Sequence, residues 1–198
     1  MKPGGYYHWM IHTMRQDDEY NPESVVGILF AKPNVAFVKD EILDRTELEC
    51  ANMRSGQDID FFFAGYSKTD EYEIDTLDEN LIVAPGGQKW RYDGEMFANF
   101  VKRIEDTSKW EYSSEPELLL LYFRGTDLRF DKSLVICLES AIRNTCIRSV
   151  SKLFNKIFGI VRSKGKGNTS SIIDEVCAFL NDNTGNSNFY KVEDLSKK

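Results

Sequence analysis

The sequence predicts one α/β domain in which a mixed central β-sheet is flanked by helices. Two strongly apolar runs of strand length, residues 24–33 and 118–123, are typical of strands buried on both faces. Stretches with apolar residues at helical spacing follow each run, as in a chain that alternates strands and helices. With 198 residues, 41% of them hydrophobic, the chain is long enough to bury a sizeable core.

The first half is predicted to hold a strand, a helix, a second strand and an insertion. Pro33 ends the first strand, and Asn34 can cap a helix over 35–54 that carries an imperfect apolar stripe. The apolar run 59–65 predicts the second strand. Residues 66–90 are mostly polar and acidic, with a short strand before a Pro-Gly-Gly turn, and we interpret them as an acidic insertion.

The second half is predicted to continue with a helix and a hairpin. Asp93 can cap a helix with one apolar face, and Pro116 precedes the apolar strand 118–123. Residues 134–138 have two interpretations, a strand antiparallel to 118–123 or the start of a helix. β-branched residues and the glycine turn between the two segments favour the strand.

Two further helices and a tail complete the predicted order. Ser149 or Ser151 can cap a helix with an apolar face, and Thr169 or Ser170 can cap an extra C-terminal helix. The Asn/Gly-rich residues 183–198 are typical of a mobile tail. We therefore predict a single domain over 1–182, with its core at about 24–163 and the insertion at about 66–90.

The cysteines and the apolar runs indicate a cytoplasmic protein. Each cysteine lies in an apolar stretch far from the others, as expected of buried free thiols in a reducing compartment. No apolar run approaches the roughly eighteen residues of a membrane span, and the first residues lack the pattern of a signal peptide. We expect no membrane association. The four cysteines are Cys50, Cys137, Cys146 and Cys177.

Two segments resemble the thioredoxin-like superfamily. In "FAKPNVAFVKDEIL" an aromatic-Ala pair ends the first strand, where the family opens a long helix with a C-x-x-C motif. In "EPELLLLYFRG" a proline precedes an apolar strand that turns at a glycine, as before the family's third strand. The predicted order, βαβ followed by helix, hairpin and helix, is similar as well. The resemblance implies a thioredoxin-like topology with an acidic insertion and an extra C-terminal helix.

The same resemblance implies a domain without redox activity. Asn34 and Phe37 stand where the family has its two cysteines, and the thiol–disulfide couple needs two adjacent thiols. Pro116 matches the proline, commonly cis, that borders the family's peptide-binding groove. Recognition of an extended peptide along a groove at Asn34, Phe37 and Pro116 would then remain. The alternative is that Pro116 only starts a strand.

Histidines, serines and glycine-rich loops give no recognisable catalytic or metal site. His8 and His12 have the spacing of a helical zinc pair, but a third ligand and an H-E-x-x-H glutamate are missing. No serine or cysteine lies in a nucleophile motif, and "GKGNTS" lacks the frame of a P-loop. We predict no catalytic residues, no metal and no cofactor. By fold analogy, the carboxyl ends of the parallel strands point to Lys32, Ser67 and Lys68 as ligand neighbours.

The formal charge of −7 conceals two regions of opposite sign. Residues 40–80 contain 13 acidic and 3 basic side chains, a local charge of −10, whereas 124–166 contain 10 basic and 3 acidic, a local charge of +7. The basic stretch is the solvated edge of a core helix, a docking surface for a protein, or a site for nucleic acid; a membrane surface would need its apolar face free. Its candidate binding residues are Arg148, Lys152, Lys156, Lys164 and Lys166.

These observations favour an interaction module over an enzyme. We expect a non-catalytic protein-interaction module, an accessory subunit of a larger cytoplasmic assembly, with a protein as its partner. The alternative is a nucleic-acid- or nucleotide-associated protein that uses the basic helix and loop over 148–166, including an enzyme whose site follows no known motif.

Overall fold

The computed structural model describes residues 1–17, 23–56, 59–69, 78–144, 147–165, 168–184 and 189–197. These residues form a mixed α/β fold. The strands are β1 (Lys2–Gly5), β2 (Glu23–Phe30), β3 (Asp60–Ala64), β4 (Tyr66–Lys68), β5 (Leu81–Val83), β6 (Lys89–Tyr92), β7 (Glu117–Arg124), β8 (Asp127–Cys137) and β9 (Tyr190–Glu193). The helices are α1 (Tyr7–Asp17), α2 (Ala36–Glu41), α3 (Arg45–Ser55), α4 (Gly94–Thr107), α5 (Leu138–Arg143), α6 (Val150–Lys164) and α7 (Thr169–Thr184).

Six of the strands form the predicted mixed central sheet, in the order β1-β3-β2-β7-β8-β9. β1, β3 and β2 run parallel to one another, whereas β7, β8 and β9 each run antiparallel to the preceding neighbour in the sheet. β2 and β7 pair over eight residues in the middle, from Glu23–Arg124 to Phe30–Glu117. Their continuous apolar sequences fit this position because both faces of the sheet are covered.

Alternate residues of β2 enter two separate hydrophobic clusters. Val25 and Leu29 pack on the face covered by α2, α3, α6 and α7. Val26 and Ile28 pack on the face covered by α1 and α4. The aromatic side of α6 therefore lies inside the molecule, where the Phe154 ring is 5.1 Å from that of Phe61. No helix in the described part of the chain is long and apolar enough to cross a membrane.

The predicted insertion contains a small second sheet of order β4-β6-β5. Sequence analysis predicted only β5 there, since β4 and β6 are short and only partly apolar. The buried hydroxyl of Tyr66 in β4 donates a hydrogen bond to the Ala31 carbonyl at 2.8 Å, just after β2. This contact fixes the second sheet to the end of the central sheet. Residues 70–77, the most acidic part of the predicted insertion, lie outside the described residues.

The helix predicted over 35–54 is two helices, which corrects the sequence analysis. α2 is capped by Val35 without a side-chain bond, so Asn34 is not its cap. The chain turns after α2, and the Asp44 carboxylate accepts hydrogen bonds from the amides of Thr46 and Glu47 to start α3. Such a local side-chain cap competes with continuation of the helix, and the apolar stripe does not record the break.

The predicted hairpin is present, with a much shorter turn. β7 ends at Arg124 and β8 starts at Asp127, so most of the segment predicted as turn is strand. Residues 134–137 follow the strand interpretation, and Leu138 starts α5. A register shift between Leu120 and Tyr122 marks the point where the long strand departs from regular pairing.

Two helices begin at caps that the sequence predicted. The Asp93 side chain accepts from the amides of Glu95 and Met96 at the start of α4. At the start of α6 the cap is Ser149, which accepts from the Lys152 amide. α7 already includes Thr169 as its first residue.

The C-terminal residues belong to the central sheet. β9 pairs with β8, and Phe189 beside it is 1% exposed. The Lys197 ammonium group donates to the carbonyls of Glu105 and Asp106 at the end of α4. Residues 189–197, which the sequence assigned to a tail over 183–198, therefore have a defined place against β8 and α4.

Candidate functional site

The ends of three neighbouring strands, β2, β7 and β8, lie side by side at one end of the central sheet. Phe30, the last residue of β2, pairs with Glu117, the first residue of β7, and Glu117 in turn pairs with Cys137, the last residue of β8. The carboxyl end of a parallel strand is where ligands of open α/β sheets lie. The chain thus brings a carboxyl group and a thiol to this position through strand register alone.

The Glu117 carboxyl group is buried. The residue is 2% exposed, and its Oε1 atom accepts a weak hydrogen bond from the Cys137 thiol at 3.7 Å. Its Oε2 atom is buried as well, and hydrogen bonds from Ser113 and Trp110 reach the carboxyl group. Burial raises the pKa of Glu117, an effect that Ser113, Cys137 and Trp110 partly oppose. The site therefore favours the neutral carboxylic acid more than water does.

Cys137 is a poor nucleophile in this setting. Burial, followed by the negative charge of Glu117, raises the pKa of the Cys137 thiol to about 11. Only the thiolate is reactive, and a thiol with this pKa is almost fully protonated at neutral pH. The Cys137 thiol is therefore unsuited to nucleophilic chemistry at neutral pH.

A cavity of about 250 Å³ lies beside this pair. Trp110, Ser113, Glu117 and Cys137 line it, together with side chains of the C-terminal segment, which are Phe189, Tyr190, Lys191, Glu193 and Leu195. Trp110 is 3% exposed, and its indole N–H is one of the donors whose hydrogen bonding lowers the pKa of the Glu117 carboxyl group. The two buried side chains are therefore neighbours in the wall of this cavity.

An aromatic cluster supports the cavity from the side of β2. The Phe30 ring lies 4.6 Å from the Trp110 ring. Beyond it, the Lys32 ammonium group is 5.1 Å from the centre of the Phe97 ring and 5.5 Å from that of Tyr112. These are cation–π distances, and burial raises the pKa of Tyr112, so its hydroxyl group stays neutral.

The residues of the predicted groove lie at this end of the sheet in different environments. Asn34 is exposed in the turn that follows β2, and Phe37 is half-buried against the core. Pro116 is buried, and its carbonyl accepts from the Leu138 amide at 2.9 Å. No cis peptide bond occurs among the described residues, so the bond before Pro116 is trans, unlike the proline that the resemblance implied.

The predicted basic residues form an exposed row that α7 partly neutralises. Arg148 and Lys152 are exposed and form no ion pair with a described residue. The Lys156 ammonium group lies 5.5 Å from the centre of the Phe179 ring, and Lys164 pairs with Glu175 at 2.8 Å. Lys166 falls outside the described residues.

The remaining candidates lie elsewhere. Of the three neighbours suggested by fold analogy, Lys32 is at the site, whereas Ser67 and Lys68 belong to β4. The His8 ring stacks on Tyr6, and a ring nitrogen of His12 contacts the Gln16 amide. The described residues contain no group of three or more side chains placed to bind a metal.

Sequence reasoning missed Glu117, Cys137 and Trp110. The only available signal was a carboxylate at the first position of an otherwise apolar strand, directly after Pro116. Its meaning depends on the pairing with Cys137, twenty residues away, which the sequence left undecided.

No family model, no curated protein and no solved structure matches this chain.

Proposed function

We propose that this protein is a non-catalytic interaction module with a thioredoxin-like topology, serving as an accessory subunit of a cytoplasmic assembly. The order of elements supports the topology. A parallel unit β2–α2/α3–β3 is followed by α4, the β7–β8 hairpin and α5/α6, which matches βαβ followed by helix, hairpin and helix. β4, β5 and β6 form the insertion, and α7 is the additional helix.

The residues at the start of α2 are the observation that supports a lack of redox activity. In this topology the thiol pair belongs where Asn34 is exposed and Phe37 packs against the core. An amide and a phenyl ring supply neither the thiolate nor its partner. The described cysteines are free and lie on three separate elements, Cys50 in α3, Cys137 in β8 and Cys177 in α7.

The exposed row of Arg148, Lys152 and Lys156 supports an acidic protein as the partner. Lys152 and Lys156 project from α6, whose apolar face is buried, and Arg148 precedes this helix, so the basic side is available for contact. Phe154 and Phe158 are buried, and the Phe179 ring beside Lys156 is half-buried in contact with that ammonium group, so these three rings offer little surface for base stacking. Charge complementarity with an acidic segment is therefore favoured over nucleic-acid recognition.

The proposed lack of redox activity is tested by introducing two thiols at the start of α2. The native chain should not reduce insulin with dithiothreitol, whereas Asn34→Cys/Phe37→Cys should gain this activity, because residues three apart at a helix start are neighbours. Each single variant serves as the control and should stay inactive. Insulin reduction by the native chain would overturn the proposal, and an inactive but folded double variant would count against the topology.

The binding part is tested with defined acidic probes. A labelled poly-glutamate peptide should bind the native chain in fluorescence anisotropy at low salt, and Lys152→Glu/Lys156→Glu should abolish the signal. Lys39→Glu/Lys102→Glu is the matched control, because both lysines are exposed on other helices and the net charge changes equally. Tighter binding of single- or double-stranded oligonucleotides than of the peptide would instead favour the nucleic-acid alternative.

A further inference from the structure

We propose that the outer edge of β9 pairs with the same edge of a second copy of this chain, so that two central sheets join into one across a two-fold axis. Val192 of one copy would lie opposite Val192 of the other. The inference concerns self-association, and it uses neither the basic row on α6 nor the residues at the start of α2. It therefore goes beyond the proposed function and does not depend on it.

The first support is the direction of the peptide groups of β9. This strand is the last of the central sheet and pairs with β8 on one side only. The Cys137 amide donates to the Phe189 carbonyl, so in this antiparallel register the odd-numbered residues of β9 bond to β8. The peptide groups of Tyr190 and Val192 therefore point away from β8, and no described residue bonds to them. They form an edge that can accept another strand.

The second support is the exposure of Val192 on this edge. The residue is 45% exposed, although it belongs to a strand of the central sheet. In an antiparallel pair centred on Val192, the two copies of this side chain lie directly opposite each other and cover one another. Because the Val192 peptide groups point outward, the two residues also exchange both backbone hydrogen bonds.

The third support is the charge pattern, which selects one register. Lys191 and Glu193 are exposed on the same face of β9, and neither forms an ion pair with a described residue. In the pair centred on Val192, Lys191 of each copy lies opposite Glu193 of the other. The neighbouring registers that use outward peptide groups place like charges opposite each other, which is unfavourable. Lys109 and Glu111 line the same cavity and add one charge of each sign.

The helices leave room for this pairing. α7 packs on β2, β7 and β8, one strand inward of the edge. In the joined sheet β9 and its copy would separate the two β8 strands by three interstrand spacings, which is about 14 Å. A helix with its side chains is about 10–12 Å wide, so the two copies of α7 would not overlap.

The association of the native chain is measured by sedimentation velocity. Each copy contributes a strand of only four residues, so the interface is small and we expect a dissociation constant of roughly 10–100 µM. A series over roughly 5–500 µM at low salt should shift from monomer to dimer. No larger species should form, because pairing across a two-fold axis is closed.

Two charge variants test the register by complementation. Lys191→Glu alone places acidic side chains opposite each other at both cross-strand positions, and Glu193→Lys alone places basic ones there. Each should weaken dimerisation by about tenfold or more. An equimolar mixture of the two variants should dimerise again, because every acidic side chain then lies opposite a basic one. Lys39→Glu, on the exposed surface of α2, is the control for net charge and should dimerise like the native chain.

Val192→Pro tests the backbone pairing. Proline removes an N–H that points away from β8, so the bonds between β8 and β9 remain, as for prolines on sheet edges generally. The variant should be a monomer at every concentration, with the circular dichroism spectrum of the native chain.

Three results would overturn the inference. They are a native chain that stays monomeric over the whole series, a mixture of the two charge variants that stays monomeric, and a folded Val192→Pro that still dimerises. If Val192→Pro does not fold, the mixture decides alone, since no other register restores opposite charges at both positions.

Discussion

Glu117 lies directly opposite Cys137 across the β7–β8 pair, and the Cys137 thiol approaches the Glu117 carboxylate at 3.7 Å. Each group affects the other: the carboxylate disfavours the thiolate, and the thiol is a weak donor to the carboxylate. A substitution of Glu117 should therefore change the reactivity of the Cys137 thiol, which can be measured.

Alkylation of Cys137 should be slow and should depend on Glu117. Its pKa rises from 9.0 to about 11, so iodoacetamide at about pH 8 should modify it about a hundredfold more slowly than the same cysteine in the urea-unfolded chain. Glu117→Gln removes a negative charge, lowers the pKa of the thiol and should accelerate the reaction. Mass spectrometry of the modified peptide gives the rates.

Cys177 is the internal control for this experiment. Burial raises the pKa of its thiol to about 11 as well, but its charged neighbours are Asp174 and Lys132 instead of Glu117. Its alkylation rate should be the same in the native chain and in Glu117→Gln. An equal acceleration of both cysteines would indicate general loosening of the fold and contradict the specific coupling.

The stability contribution of Glu117 should decrease with rising pH. Because burial raises the pKa of Glu117 above its ordinary value of 4.5, the folded state binds the proton more tightly than the unfolded state. Its contribution is fully present below that value and is lost as the pH rises towards the folded pKa. Urea midpoints of native and Glu117→Gln chains between about pH 4 and pH 7 should diverge, with the variant gaining relative stability at the higher pH.

Gly27→Ala should destabilise the centre of the sheet. A Cβ atom there would lie 2.6 Å from the Phe61 ring, which is fully buried and has little room to move. Such overpacking costs about 1–3 kcal/mol in the free energy of unfolding. Gly159→Ala is the matched control, since a Cβ at this position of α6 meets no atom within 4 Å and should stabilise the helix by about 0.5–1 kcal/mol. Urea unfolding measures both; an equally stable Gly27→Ala would contradict the packing.

Tyr66→Phe should weaken the attachment of the second sheet. The lost hydroxyl donates to the Ala31 carbonyl in the interior, and removal of a buried hydrogen bond costs about 1–1.5 kcal/mol. Tyr190→Phe removes a hydroxyl whose bond to Asn181 is exposed, and should change stability by less than about 0.5 kcal/mol. Thermal unfolding of the two variants measures this difference. Equal losses of stability would contradict the role assigned to the Tyr66 hydroxyl group.

Sequence reasoning succeeded where the signal is local or where burial is complete. The apolar run 118–123 predicted a central strand because a strand covered on both faces needs no polar alternation. Asp93 and Ser149 predicted helix starts because an N-cap bonds to amides only two or three residues away. The mixed sheet followed from combining these elements.

It failed where distant pairing decides, and at one local cap. β4 and β6 are strands because they pair with each other, and the apolar stripe over 35–54 concealed the Asp44 cap between two helices. The candidate site depends on the register that places Cys137 opposite Glu117, and on Phe189, which reaches the cavity from the far end of the chain. The periodicity of apolar residues contains no information on strand register or on contacts between distant parts of the chain.

β1 and β9 border the central sheet on opposite sides, with four strands between them. Five interstrand spacings of about 4.8 Å separate them by about 24 Å. Fluorophores placed on Lys2 and Lys191 would therefore transfer energy efficiently in the folded protein.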